Sequence, residues 1–493
     1  YLSSTKMASE IEDNGTSSWW KMNMDIEETK TQISLALPLI IVNVSYYLIT
    51  MSSLMFAGRE STLELAGATL ANSWSFVTGF SFLVTSFLNP SPYFNSSSSF
   101  QVGLTGALET LCGQNFGSKA YRMLGVHLQT SCIITIFSCL IISLVWFFTE
   151  PILVFFNQAP QIAQAAGLYL KYLTPGVFAY GLIQNFIRFL QAQSFVYVMM
   201  IVSLCSVIFH VLLCFFMVNV IGFGFIGAPL AASVSLWVSA AMLGMYVVLS
   251  KQFKKTWVGF TSESFRFICS TMKLALPSAG MVCLEYCAFE IMVLLAGLMP
   301  NSEITTSLIA ICVNTEAIAY MLVYGFSAAV STRASNEIGA DNSQVAKKAL
   351  FVTVVVSLLC ALIMSLCLVF GHNLLSGLFT TNDEIKTRFA YMTPFLIASI
   401  TLDTLQSIFS GVARGCGWQL FALLGNLVGF YFVGVPVAVG LAFWGNFSTT
   451  GLWIGLVCGL FFQTTFLGML PIFLKWEKSD LHGTGDYVEV SEN

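Results

Sequence analysis

The chain has 493 residues, of which 56% are hydrophobic and 9% charged, and its net charge is −4. A soluble globular chain carries about 25% charged residues, so these side chains cannot cover a water-facing surface and lipid must be the solvent. The net charge says little about partners, because 11 of the 25 acidic residues lie in the terminal stretches Glu10–Glu28 and Glu477–Glu492.

Taken in chain order, the first 30 residues are polar and lack the apolar centre of a signal peptide. Met7, followed by "ASEIEDNG", reads as a start, with Tyr1–Lys6 upstream of it. A helical span needs roughly 20 mainly apolar residues, and such runs recur along the chain. Twelve spans are expected at 33–56, 66–88 with a continuation to 112, 124–148, 166–190, 196–218, 223–249, 269–296, 304–332, 346–370, 387–411, 419–443 and 449–474. None alternates as a barrel strand would, and open sheet strands unpaired backbone groups in hydrocarbon. The fold class is therefore an all-α integral membrane protein.

Of the 21 lysines and arginines, all but Arg59, Lys171, Lys386 and Arg388 fall on the same side as the two termini. Positive charge collects on the cytosolic side, so both termini are expected there.

The chain also repeats itself. "LALP" at Leu35–Pro38 returns at Leu274–Pro277, and "YLTP" at Tyr172–Pro175 is answered by "YMTP" at Tyr391–Pro394. "RFLQAQ" at Arg188–Gln193 and "RGCGWQ" at Arg414–Gln419 share Arg-x4-Gln, and the segments around Gly117 and Gly339 align. Four matches in one order imply two six-helix bundles in the same orientation, a parallel repeat of the kind that transporters use. The expected shape is a V with a central cleft. The expected divisions are a disordered cytosolic tail at 1–32, bundles at 33–250 and 269–474, a cytosolic linker at 251–268 and a cytosolic tail at 475–493. Pro38 to Gly117 is 79 residues, but Pro277 to Gly339 is 62. Removing Thr85–Val102 would join "GFSFLV" to "GLTGALETLCGQ". That tract, with Pro90, Pro92 and an Asn-Ser run, reads as an insertion into span two, of retained-intron type, forming a loop. In that reading Gly103–Cys112 lies at the inner surface or re-enters the bundle.

"GLTGALETLCGQNFGSKAYRMLGVHLQ", "FIRFLQAQS", "NTEAIAYMLVYGFSAAVSTRASNEIGADN" and "LDTLQSIFSGVARGCGWQ" resemble the multidrug and toxic compound extrusion (MATE) family, in particular its plant detoxification branch. The resemblance covers roughly Ile33 to Lys475. It departs at the tract above and at Arg59, where the family usually has His. It implies cation-coupled efflux of organic solutes, normally driven by protons in plants. It also implies that Glu285 and Asp403 form a protonatable pair near the cleft.

An ionisable group inside a membrane costs about 2.5 kcal/mol or more, so it is a functional candidate by default. Glu285 and Glu290 share span seven, but five residues at about 100° each put them about 140° apart. Glu316 lies in span eight and Asp403 in span ten. Glu303 sits near an outer end. Further cleft candidates are Asn314, Tyr320, Tyr324, Gln184 and Asn43, while Asn72, Asn185 and Gln191 read as ties between helices. Glu109, Gln114 and Arg414 read as fasteners of helix ends. Pro38, Pro175, Pro277 and Pro394 are hinge candidates, since proline frees a carbonyl and kinks a helix.

The thirteen cysteines and four histidines show no metal-ligand spacing. "GFGFIG" at Gly222–Gly227 lacks the strand and distant acid of a dinucleotide site and reads as a tight outer turn. No phosphate-loop lysine motif is present, and no cofactor is expected beyond a proton gradient. The expected activity is proton-coupled export of organic cations, alkaloids or flavonoids by alternating access, not enzyme catalysis. The alternatives are a citrate-type organic-acid exporter or a chain inactivated by the tract in span two. Expected partners are small organic solutes and membrane lipid, with no nucleic acid and no obligate protein partner, in a vacuolar or plasma-membrane monomer.

Overall fold

The computed structural model describes residues 25–58, 62–77, 97–155, 158–380 and 382–478. The first half contains α1 (Ile26–Ala57), α2 (Thr62–Val77), α3 (Ser97–Gly117), α4 (Tyr121–Phe147), the short α5 (Thr149–Phe155), α6 (Pro160–Ala192), α7 (Val196–Phe215) and α8 (Gly227–Leu249). The second contains α9 (Ile268–Gly297), α10 (Ser302–Gly339), α11 (Ser343–Phe379), α12 (Asp383–Cys416), α13 (Gln419–Asn426), α14 (Val435–Val439) and α15 (Ser448–Phe473). Wide π-helical turns join α13 through α14 to Trp444, so 419–444 acts as one span. No strand occurs among the described residues.

Helices close their own backbone hydrogen bonds, which is what hydrocarbon demands. Ile201, Leu204, Ile208, Leu212 and Phe215 form an exposed stripe on α7, and Leu359, Leu362, Ile363, Leu366 and Phe370 form one on α11. In water these stripes would be a liability; in a bilayer they are the lipid face. Polar groups mark the ends: Asn382 Oδ1 accepts from the Glu384 amide at 2.9 Å, and Gly417, at φ +86°, stops α12.

The bundles meet through α1, α3, α9 and α10, and the contacts repeat the sequence symmetry. A methyl on Gly117 would strike the Asn336 carbonyl oxygen, and one on Gly339 the Gln114 carbonyl oxygen. Asn336 and Gln114 each lie three residues before the glycine of their own half. Gly103 packs on Ser278 and Ala279, while Gly325 packs on Ala36 and Ile40. Only glycine allows backbones this close. Pro38, Pro175, Pro277 and Pro394 all lie inside their helices, in repeat-related pairs.

Three boundaries need correction. The tail expected over 1–32 ends sooner, because α1 starts at Ile26 with Asp25 as its N-cap. Glu28 and Gln32 are buried, Glu28 pairs with Arg333 at 3.2 Å, and Asp25 pairs with Lys348. The second bundle neutralises these acids, so they are not part of a solvated tail. The tail expected from 475 also begins docked. Trp476 is buried, donates Nε1–H to the Pro471 carbonyl at 2.9 Å and packs edge-on against Trp418.

The tract expected as a looped insertion at Thr85–Val102 is likewise misplaced at its far end. Ser97–Val102 belongs to α3, where Gln101 is buried and donates to Cys139 Sγ at 2.8 Å. Gly103–Cys112 continues that helix between the bundles instead of lying at a surface. The helices α2, of 16 residues, and α3, of 21, together fall one residue short of the 38 in α10. The extra length of the first half therefore maps to 78–96, which lies outside the described residues, as do Arg59 and the terminal stretches 1–24 and 479–493.

Candidate functional site

Three carboxylates of the second bundle gather on α9, α10 and α12. Gln406 donates to Glu285 Oε2 at 2.8 Å. Ser399 donates to Glu316 Oε2 at 2.7 Å and itself accepts from Trp453 Nε1 at 3.2 Å. Asp403, one turn from both Ser399 and Gln406, feels the charges of Glu285 and Glu316. Asp403 and Glu316 are buried, and Glu285 is partly open. Asp403 Oδ1 and Glu316 Oε1 are buried without a hydrogen-bond partner among the described residues. Buried polar atoms are normally satisfied, so these oxygens have capacity for a proton or a cationic ligand. Tyr286, 39% exposed, meets Tyr320 edge-on with centroids 6.4 Å apart, which gives the cluster an accessible side.

Tyr320 leads to Tyr324, one turn on, and Tyr324 leads to a second cluster. There Glu109 on α3 is bound by two arginines, Arg188 Nη1 on Oε1 at 2.6 Å and Arg414 Nε on Oε2 at 3.1 Å. Ser331 adds a bond to Oε2 at 2.6 Å. Both guanidiniums lie 5.8 Å from the Tyr324 ring centroid, and Arg188 also donates to its hydroxyl. Arg414 is also an electrostatic neighbour of Glu285, so one guanidinium acts on both clusters.

The remaining candidates divide. Gln184 is buried on α6, one turn from Tyr180, which is an electrostatic neighbour of Tyr324 and Arg188. Asn43 is half-buried on α1. Glu290 stands half-buried on the other side of α9 from Glu285. Asn314 is exposed and donates back to the Ala310 carbonyl at 2.8 Å, two residues and so about 200° round α10 from Glu316. Asn185 ties Ser131 and Thr135 together, and Gln191 crosses between bundles to Thr332 at 2.8 Å. Sequence reasoning missed Ser399, Gln406 and Trp453, the groups that orient the carboxylates. Their helical spacing was available, because Ser399 and Gln406 are respectively one turn before and one turn after Asp403. Arg188 was noticed only as a repeat marker. No group of side chains suited to a metal ion occurs among the described residues.

Two bundles in parallel repeat, apolar outside and carrying buried ionisable groups within, define a polytopic membrane transporter. A protein-family model described as MatE matches residues 91–216 and 277–439, and the chain belongs to that family of membrane transporters. Protein DETOXIFICATION 18 of Arabidopsis thaliana is 50% identical over 455 residues, covering 92% of this chain and 93% of the relative. Protein DETOXIFICATION 16 of the same plant is 41% identical over 452 residues, 92% and 89% of the two chains. Among solved structures, the crystal structure of the eukaryotic MATE transporter AtDTX14 superimposes with a TM-score of 0.84 at 33% identity, covering 92% of this chain and 97% of that one. The resemblance seen in the sequence and the twelve-span, two-bundle fold both hold.

Proposed function

We propose that this transporter exports organic solutes, cations above all, in exchange for protons, by alternating access between the bundles. The supporting observation is the Glu285, Glu316 and Asp403 group, with two buried carboxylate oxygens that have no donor among the described residues. A carboxylate deep in the membrane holds either a proton or a cation, because a bare charge there is costly. Binding one expels the other, and that competition is the elementary step of antiport. Glu285 and Asp403 carry the coupling, Glu316 extends the site, and Tyr286, Tyr320 and Tyr324 offer aromatic faces to a cationic solute. The negative balance of this group favours cations over citrate-type anions. The membrane is vacuolar or plasma membrane, with both termini in the cytosol.

The test uses vesicles carrying equal amounts of wild type, Glu285→Gln and Asp403→Asn. An inside-acid gradient should drive uptake of a fluorescent organic cation by wild type, and each substitution should reduce it by about a hundredfold or more, as loss of an essential proton-transfer group does. Undiminished gradient-driven uptake by both variants would refute the assignment.

A further inference from the structure

We propose that Glu109, Arg188 and Arg414 form a charged latch that closes the cleft at the end bearing the termini. The Glu109–Arg414 bridge must then break whenever that end opens. The inference rests on the alternating-access reading above.

The argument begins with placement. Glu109 on α3 and Arg188 on α6 belong to the first bundle, whereas Arg414 on α12 and Ser331 on α10 belong to the second. The 2.6 Å Glu109–Arg188 pair is therefore internal to one bundle. The 3.1 Å bridge to Arg414 and the 2.6 Å bond from Ser331 cross the interface. All three charged side chains are at least nine-tenths buried, where an ion pair is screened least.

Stoichiometry supplies the second part. The arginines are repeat mates, each followed five residues later by glutamine, but there is one acid for both. Eight residues before Gly117 stands Glu109; eight before Gly339 stands Ser331. This asymmetry fits a joint that opens. When the bundles part, Glu109 leaves with Arg188 and stays neutralised. Arg414 remains with partners of its own bundle: Ser327 Oγ, to which Nη2 donates at 2.9 Å, and the Tyr324 ring. Separating a buried ion pair is costly when it strands a bare charge; here Glu109 keeps its Arg188 counter-ion, and Arg414 is left with a hydroxyl, a ring face and the water that enters as that end opens. Two turns beyond Glu109, the Gly117–Asn336 and Gly339–Gln114 backbone approaches join the same two bundles, so parting that end breaks these contacts together with the bridge.

Distance measurements between spin labels on Ser118→Cys and Ala340→Cys test this. Both positions are exposed and lie just past the two glycines, and the full chain is reconstituted in nanodiscs after removal of the reactive native thiols. One short distance should dominate with wild-type latch residues. Glu109→Gln and Arg414→Gln should each raise the long-distance population by about tenfold, the scale of one well-placed buried charge pair. The double variant should show no more than the larger single effect, since both remove the same bridge. Arg414→Lys, which keeps the charge but loses the Ser327 bond, should give an intermediate shift and carries the test if the others fail to fold. Unchanged distances in the folded variants, or additive effects, would overturn the latch. If distances respond but solute movement is indifferent to protons, the coupling reading fails and the latch stands.

Discussion

At the scale of residues, the closest approaches belong to glycine. Gly117→Ala places a methyl against the Asn336 carbonyl and within 2.9 Å of the Ala340 nitrogen. Overpacking of this kind costs about 1–3 kcal/mol, so the melting temperature should fall and the two bundle ends should separate. Gly371→Ala, on α11 with nothing within 4 Å of the new methyl, should leave melting unchanged or raise it slightly, since alanine favours a helix by about 1 kcal/mol over glycine. A fall at Gly371 equal to that at Gly117 would show that close backbone approach does not govern the first effect. Residues announced themselves unequally in the sequence. Glu285, Glu316 and Asp403 stand out because charge is rare in apolar spans. Glu109 and Arg414 looked like end-fasteners of separate helices, since nothing local links two side chains 305 positions apart.

At the scale of elements, the start of α1 is held by the opposite bundle. Lys348 and the helix-end amide of Glu27 lower the Asp25 carboxyl pKa below its ordinary value of 3.8. A depressed carboxyl stabilises the fold above its unfolded pKa and loses that contribution as pH falls through the folded pKa. This cap should therefore be intact at neutral pH and weaken only below about pH 4. Deletion through Met24 should leave the melting temperature unchanged, whereas deletion through Gln32 should lower it by several degrees, because Glu28 and Gln32 are buried. Equal melting of the two truncations would contradict the docking. Span two gives a sharper contrast. Deleting 78–96 joins α2 to α3 in near register with α10 and should preserve folding. Deleting 85–102 removes Gln101 from its buried place and should reduce the yield of folded protein. The twelve spans were legible from hydropathy because lipid imposes one length and one class of structure. The ends were not, because ion pairs and caps let helices run well past the apolar stretch: α12 begins at Asp383, four residues before the expected start.

At the scale of the whole molecule, the repeat was legible through short matches alone, and its glycine contacts show why: paired backbones at the bundle interface tolerate no other residue. The proposed orientation rests on charge. A thiol introduced at Gln158 should label with an impermeant reagent from outside intact cells, and one at Lys254 should not; the reverse pattern would turn the chain over. The central claim is that solute leaves as protons enter through the carboxylates of the second bundle. The most direct measurement uses wild-type proteoliposomes containing a pH-sensitive dye, with no gradient imposed at the start. Adding a transported organic cation outside should raise the internal pH in step with solute entry, and the Glu285→Gln and Asp403→Asn double variant should show neither change. Solute entry with no accompanying proton movement would contradict the account.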